Sequence, residues 1–276
     1  MSGKLIVVGT PIGNLSDFSP RAIEALRSAD FIAAEDTRVT LKLLNRFEIK
    51  KPMISYFEHN KRYRGEIICN RIVAGETCAL VSDAGMPAIS DPGEMLVAQC
   101  AEQGIQVLVV PGPSAVVSAL AISGLPTSRF TFEGFLSVNK KSRKEHLAEV
   151  KNEHRTMIFY EAPHKLASTL SDMLAAWGDK RIAIVRELTK IHEEVIRTTL
   201  AEAAARFADG SAKGEIVLVI EGAPVPTEES EYTLEDAILL AKKLAQSGIS
   251  PSDAARQAAQ ETGYKKSDLY KAMLSD

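Results

Sequence analysis

The chain has 276 residues, of which 45% are hydrophobic and 25% charged, and its formal net charge is −3. This balance is typical of a globular protein long enough for two domains, and it lacks the basic excess of a protein that coats nucleic acid. Any contact with nucleic acid must therefore use local basic patches. No apolar run reaches the roughly 18 residues of a membrane span, and the N-terminus has no signal-peptide pattern, so we expect a cytoplasmic protein without membrane contact.

Apolar runs and helical patterns alternate along the first half of the chain. Strand-like runs lie at 4–9, 31–34, 77–82 and 106–110. Between them, Ser19 is placed to cap a helix that starts at Pro20, and Thr37 to cap a helix over 38–46. Further helices are predicted at 59–74, 91–104 and 114–123. Strands that alternate with helices indicate a largely parallel sheet covered on both faces.

A polar, basic stretch at 134–142 separates this half from a second α/β unit. Ser142 and Glu145 form an S-x-x-E capping box for the next helix, and four strands are predicted at 156–160, 181–187, 193–199 and 214–221. An acidic, proline-containing linker at 223–231 then leads to three short helical patterns. We therefore expect an α/β protein with domains at 1–135 and 136–222 and a small helical module at 232–276.

Three loops in the first half follow the ends of strands, where open α/β sheets bind ligands. The loop at 8–14 lacks both G-x-G-x-x-G and GK[ST], and Pro11 removes a backbone N–H that a phosphate cradle needs. The loop at 82–93 carries two acids and no base, so it repels phosphate and suits a ligand with hydroxyls and positive charge. In the third loop, Ser114 either caps a helix or leaves its N–H for a ligand carboxylate.

Charged residues elsewhere are candidates for contacts with phosphate. Arg38 follows a strand and is placed to bind phosphate, although the cluster around it is also consistent with a helix cap and solvated charges. A basic patch contains Lys140, Lys141 and Arg143; its alternative interpretation is a solvated helix face. The cysteines form no C-x-x-C pair and the histidines do not cluster, so we expect reduced thiols and no metal.

Seven segments, in this order, are similar to one protein family. They are VGTPIGNL (8–15), AAEDTR (33–38), SDAGMPAISDPG (82–93), PGPSA (111–115), EGF (133–135), FYEAPHK (159–165) and RELTKIHEE (186–194). The chain resembles the tetrapyrrole methylase superfamily, and within it the RsmI family of ribosomal RNA 2′-O-methyltransferases that act on a cytidine of the small subunit. It departs from the usual pattern at Ser137, Lys165 and Arg197-Thr198.

The resemblance implies two domains with S-adenosyl-L-methionine held in the cleft between them. Carried over by motif position, the cofactor-binding residues are Pro11, Asp83, Ala84, Gly85, Ile89, Ser114, Ala115, Tyr160 and Glu161. The implied partners are small-subunit ribosomal RNA or the 30S particle and a second copy of the chain in a homodimer.

The catalytic candidates are Glu187 and Lys190, with Arg186 beside them and Asp36 as a further carboxylate. Glu187 is the simpler base, because it is ionised at neutral pH unless buried. Lys190 would need a lowered pKa to act as a base, and as a cation it would instead hold a phosphate or the developing oxyanion. A reaction in which water takes the proton late stays open. The alternatives to an RNA methyltransferase are a tetrapyrrole or other small-molecule methylase and a non-catalytic RNA-binding assembly factor.

Overall fold

The computed structural model describes residues 3–225 and 232–274, which fall into two compact units that divide after Ala223. Most of the linker expected at 223–231 lies outside the described residues. None of the helices in the described parts of the chain has the length and apolar character needed to cross a membrane.

The first sheet of the larger unit has five parallel strands in the order β3-β2-β4-β1-β5, which confirms the predicted parallel sheet. Its strands are β1 (Lys4–Val8), β2 (Phe31–Ala34), β3 (Met53–Ser55), β4 (Thr77–Val81) and β5 (Gln106–Val110). Strand β2 is buried at every residue. Apolar clusters cover both faces of this sheet, as expected for runs that lack a polar alternation.

Five helices connect or follow these strands. They are α1 (Pro20–Ser28), α2 (Thr37–Arg46), α3 (Lys61–Val73), α4 (Gly93–Glu102) and α5 (Ala115–Ser123). The predicted cap of α1 is confirmed, because the Ser19 side chain accepts a hydrogen bond from the N–H of Ala22. The predicted cap of α2 is wrong by one residue: Asp36 is the N-cap and accepts from the N–H of Arg38, so Thr37 is already helical.

The second sheet lies in the same unit and is mixed, in the order β6-β7-β10-β8-β9. Its strands are β6 (Phe130–Phe135), β7 (Thr156–Glu161), β8 (Arg181–Arg186), β9 (Glu194–Thr199) and β10 (Ile216–Ile220). Strand β6 runs parallel to β7, and the other pairs are antiparallel. Residues 130–135, expected at the end of the first domain, thus belong to the second sheet, because their backbone pairs with β7.

Three helices belong to this sheet, namely α6 (Lys140–Glu149), α7 (Leu166–Trp177) and α8 (Leu200–Arg206). The capping box predicted at Ser142 and Glu145 is wrong. Helix α6 starts two residues before Ser142, because the Asn139 side chain accepts hydrogen bonds from the N–H groups of Lys141 and Ser142. The Arg143 side chain then points to α7, where its Nε lies 2.7 Å from the Asp172 carboxylate.

Helix α5 follows the last strand of the first sheet but packs against the second. Val116 and Leu120 belong to one apolar cluster with Ala183 of β8 and with Val217 and Val219 of β10. Hydrogen bonds at the C-terminal end of α5 support this packing, because the Arg197 guanidinium on β9 donates to carbonyl oxygens in the last turn of the helix. Helix α5 thereby connects the two sheets, because it continues from the loop after β5 and packs on the second sheet.

The smaller unit contains the three predicted helices, α9 (Leu234–Gln246), α10 (Pro251–Thr262) and α11 (Lys266–Leu274). Thr233 and Asp236 form a reciprocal capping box that starts α9. The buried cluster of this unit consists of alanines and Leu269. Side chains this small bring helix axes close together, so a short segment can form a packed core.

The ion pair of Arg143 gives a prediction about stability. Both side chains are largely buried, with 12% of Arg143 and 21% of Asp172 exposed. Arg143→Ala should lower the free energy of unfolding by about 1–3 kcal/mol, because it leaves a carboxylate without its partner. The exposed neighbour Lys141→Ala should change it by less than about 0.5 kcal/mol. Urea unfolding of the two variants checks this, and equal stabilities would contradict it.

Candidate active site

A cavity of about 460 Å³ lies between the first sheet's strand ends and the second sheet. This volume is within the range of small-molecule sites. Of the residues predicted to bind a cofactor, eight line it: Asp83, Ala84, Gly85, Ile89, Ser114, Ala115, Tyr160 and Glu161. Pro11 is not in the wall, and its neighbour Ile12 is. Glu35, predicted only as part of the charged cluster around Arg38, also lines the cavity, as do Met86, Phe135, Leu188 and Glu215, which the sequence analysis did not single out.

The three predicted loops are interlocked at the floor of this cavity. Thr10 and Gly85 exchange two backbone hydrogen bonds of 2.9 and 3.2 Å. The first and third loops touch through glycines, since a Cβ on Gly9 would lie 2.7 Å from the Cα of Gly112. Backbone approaches this close require glycine. The glycines therefore place the loops against one another.

Both acidic residues of the second loop accept backbone hydrogen bonds. One oxygen of Asp91 accepts hydrogen bonds from the N–H groups of Ala88 and Gly93, just before and at the first residue of α4, whose N-cap is Pro92. Asp83 accepts from the N–H of Asp36 at 3.0 Å and so connects the loops after β4 and β2. Burial raises the pKa of both carboxyl groups.

The second sheet provides the opposite wall. The ring of Tyr160 lies edge-on to those of Phe132 and Phe135, with centroids 4.9 and 5.4 Å away. Glu161 is 3% exposed and accepts hydrogen bonds from the Thr169 hydroxyl at 2.6 Å and from the N–H of Ala162 at 2.8 Å. This carboxylate is therefore occupied within its own sheet.

The predicted catalytic residues lie beside the cavity in the loop after β8. Lys190 Nζ lies 2.9 Å from Glu187 and 3.2 Å from Glu215. The Glu187 carboxylate also accepts from the N–H of Glu215, and this bond and Lys190 hold its pKa below the usual range. The same two carboxylates raise the pKa of Lys190 despite its partial burial. Lys190 is therefore a cation at neutral pH.

This loop contacts the first sheet. A Cβ on Gly13 would lie 2.6 Å from Cγ of Lys190 and 2.9 Å from the Thr189 hydroxyl. Arg186 donates to the backbone oxygen of Lys213 and pairs with Glu194. The structure thus brings Glu187 and Lys190 to the seam between the two sheets and directs Arg186 away from them.

Left-handed backbone is concentrated around the cavity. Among the described residues, five other than glycine have a positive φ, and four of them, Ala88, Ser90, Glu187 and Thr189, lie in the two loops just described. Such conformations cost free energy and are retained at functional sites. The buried hydroxyl of Thr189 has no hydrogen-bond partner within the described residues.

The predicted RNA-binding residues lie apart from the cavity wall. Arg38 is 87% exposed at its side chain and pairs with Asp36 2.6 Å away, which lowers the pKa of Asp36 to about 2. Lys140 and Lys141 are exposed on α6. Arg143 is occupied by Asp172. Helix α6 therefore offers lysines to solvent, while its arginine faces α7.

The charged residues that line the cavity are all acidic. Five carboxylates line it, from Glu35, Asp83, Asp91, Glu161 and Glu215, and none of the described lining residues is Lys, Arg or His. No group of three or more potential ligands within 3–225 and 232–274 is placed to hold a metal. Such a wall disfavours phosphate and favours a ligand with positive charge.

Two family models match the chain. The model of "Tetrapyrrole (Corrin/Porphyrin) Methylases" matches residues 4–204, and that of the "RsmI C-terminal HTH domain" matches residues 235–276. The chain therefore belongs to the tetrapyrrole methylase family. Its fold is also that of a uroporphyrin-III C-methyltransferase from Thermus thermophilus solved with S-adenosylhomocysteine, with a TM-score of 0.57 at 16% identity over 79% of this chain and 97% of the other.

Curated relatives define the branch more narrowly. A "Ribosomal RNA small subunit methyltransferase I" from Synechocystis is 46% identical over 273 residues, which cover 99% of this chain and 98% of the relative. One of the same name from Thermotoga maritima is 50% identical over 220 residues, which cover 80% of this chain and 99% of the relative. Within the tetrapyrrole methylases, the chain belongs with these proteins.

The lowered pKa of Glu187 predicts a pH dependence of stability. A carboxyl group whose pKa is lower in the folded state stabilises the fold above its unfolded pKa, and this contribution is lost as the pH falls through the folded value. Glu187→Gln should therefore cost up to about 2 kcal/mol at pH 7 and progressively less at acidic pH. Urea unfolding of wild type and variant between about pH 7 and pH 3.5 measures this. A cost independent of pH would show that the charge of Glu187 is not responsible.

Proposed function

We propose that this protein is an S-adenosyl-L-methionine-dependent methyltransferase that methylates the ribose 2′-hydroxyl of a cytidine in small-subunit ribosomal RNA. The observation that carries the proposal is an acid-lined cavity in a chain with full-length relatives named for this ribosomal RNA activity. The cavity supports the cofactor, and the names of the relatives support the RNA. The place of action is the cytoplasm, and the working form is a homodimer.

The wall of the cavity fits this cofactor. A sulfonium and an ammonium group suit a wall that has five carboxylates and no basic residue among its described lining residues, and a flat adenine suits the apolar residues Ile89, Ala115 and Val217. Ser114 occupies the N-cap position of α5 without using its side chain as a cap. It is therefore free to hold the carboxylate end of the ligand, beside the N-terminus of a helix.

The cofactor is held by the wall residues predicted from the sequence, with Pro11 fixing the turn beneath them. The bound cofactor supplies an activated methyl group on a good leaving group, so the protein's main task is to align the acceptor oxygen. Lys190 is a cation at the seam and holds the acceptor ribose or its phosphate. Glu187 orients Lys190, and Arg186 fixes the loop to its own sheet.

The RNA strand meets exposed cations. Arg38 lies at the strand ends of the first sheet, where its guanidinium binds phosphate and Asp36 orients it. Lys140 and Lys141 on α6 bind phosphate further from the reaction. Arg143 contributes through the position of α6, because its own charge is neutralised by Asp172.

The experiment that tests the function is methylation of 30S particles with labelled S-adenosylmethionine, followed by mapping of the methylated ribose. We expect the label in one ribose 2′-oxygen of small-subunit RNA. Labelling of a tetrapyrrole and not of RNA would establish the small-molecule alternative. Cofactor binding without any product would favour an assembly factor.

Gly85→Val tests the cofactor site. Gly85 has a φ of +84°, and its added Cβ would lie 3.3 Å from Ile12 at the floor of the cavity. We expect binding of S-adenosylhomocysteine to weaken more than about 10-fold by calorimetry, and wild type should bind neither ATP nor NAD. Gly104→Val is the matched control, because its φ of +67° imposes similar strain with nothing within 4 Å. Normal binding by a folded Gly85→Val variant would contradict the placement of this loop.

Removal of residues 226–276 tests the role of the C-terminal unit. Lys265 and Lys266 are exposed there and suit RNA phosphates. The Thermotoga relative supports a separable unit, because almost all of it matches 220 residues of this chain. The truncated protein should bind S-adenosylhomocysteine normally and methylate 30S particles at least about 10-fold less efficiently, with a reduced dependence on salt. Loss of cofactor binding in a folded truncation would show that this unit belongs to the cofactor site.

A further inference from the structure

We infer that Glu35 is a catalytic residue, whose carboxylate accepts the proton from the acceptor hydroxyl as the methyl group arrives. This inference rests on the proposed function and names the base that the reaction uses. Glu35 immediately follows β2 at the carboxyl edge of the first sheet and lines the cavity. It was not among the catalytic candidates taken from the sequence.

Hydrogen bonding distinguishes Glu35 from the other carboxylates of the wall. Asp83, Asp91 and Glu161 each accept at least one backbone hydrogen bond of 3.0 Å or less. Glu215 is 76% exposed at its side chain and pairs with Lys190. By contrast, the only hydrogen bond recorded for the Glu35 carboxylate within the described residues is a long one of 3.4 Å, from the N–H of Asp83. Its oxygens are therefore available to a substrate.

The earlier candidates for the base are already engaged. Glu187 and Asp36 are each paired with a cation that lowers the pKa of the carboxyl group, which makes them weaker bases. Lys190 is protonated and has no lone pair to offer. Since an effective base has a pKa near the working pH, these three residues are poorly suited to the proton transfer.

The surroundings of Glu35 have the opposite effect on the pKa of its carboxyl group. Burial raises the pKa of its carboxyl group, and the neighbouring Asp83, Asp91 and Asp36 raise it further. The hydrogen bond from Asp83 N–H opposes this shift, and the cation nearest along the chain, Arg38, is paired with Asp36. The second sheet adds Tyr160, Glu161 and Glu215 to the same cavity and no cation from the described lining residues.

The reaction balances with Glu35 in this role. The methyl carbon–sulfur bond breaks with its electron pair left on sulfur, a bond forms between that carbon and the hydroxyl oxygen, and the hydroxyl proton moves to a Glu35 oxygen. The positive charge of the sulfonium and the negative charge of the carboxylate disappear together. In a cavity without a basic lining residue, loss of opposite charges avoids stranding either one in a poorly solvated site.

The test is single-turnover methylation of 30S particles across pH with saturating cofactor. Wild type should gain rate with rising pH and level off once Glu35 is ionised. Glu35→Gln should be about 10²-fold slower or more near pH 7 and should lose that inflection. Glu35→Asp retains a carboxylate and should restore part of both. Glu66→Gln, the same change on an exposed residue of α3, should match wild type.

Two further readouts separate this role from a structural one. Glu35→Gln should bind S-adenosylhomocysteine and 30S particles as wild type does. A ¹³C titration of the free protein, assigned by difference from Glu35→Gln, should place the Glu35 carboxyl midpoint above the usual range for glutamate. Full activity of Glu35→Gln, an unchanged pH profile or a midpoint in the usual range would each overturn the inference. An inactive wild type would instead refute the proposed function.

Discussion

The packing of α5 against the second sheet is the contact on which the active-site architecture depends. The helix starts in the loop after β5, so its first residues belong to the floor of the cavity, while Val116 and Leu120 are buried among β8 and β10. Exposing this buried apolar face to water would cost about 25 cal/mol for each Å² of apolar surface. Core packing therefore fixes α5, and with it Ser114 and Ala115 of the cavity wall, against the second sheet.

The polar groups around the cavity are divided by task. Asp91 and Glu161 hold backbone, Glu187 and Glu215 hold Lys190, and Glu35 is left with one weak hydrogen bond. A half-buried carboxylate with so little hydrogen bonding is poorly compensated for its lost hydration, and such groups in a cleft are candidates for a functional role. Of these groups, Glu187 has a pKa lowered by the N–H of Glu215 and by Lys190, whereas burial raises the pKa of Glu35.

Local signals predicted much of this fold, and long-range pairing limited the rest. The cap at Ser19 and the alternation of strands and helices depend on neighbours in sequence, and they were predicted correctly. The assignment of 130–135 failed, because only its hydrogen bonds to β7 show which sheet it joins. The capping box at Ser142 failed because Asn139 competes for the same N–H groups.

Prediction of the candidate site was limited in the same way, because contacts between distant residues cannot be read from the sequence. The rule that ligands bind at strand ends identified the loops that contain Asp83, Gly85 and Ser114, and the family resemblance proposed these residues within them. It could not separate Glu35 from Asp36, because the two are adjacent, and only the folded chain shows that one pairs with Arg38 while the other lines the cavity.

Helix α5 must move with the second sheet, because its apolar face packs on β8 and β10 and Arg197 of β9 donates to its last turn. The chain connects this helix to the first sheet through residues 111–114, so a rotation of one sheet against the other would bend that loop. Such a rotation would carry Ser114 and Ala115 away from the loops that follow β1 and β4, and rotations of this kind take microseconds to milliseconds. Release of a ligand and rearrangement of the loop that holds it would therefore be one event, with the core of each sheet left intact.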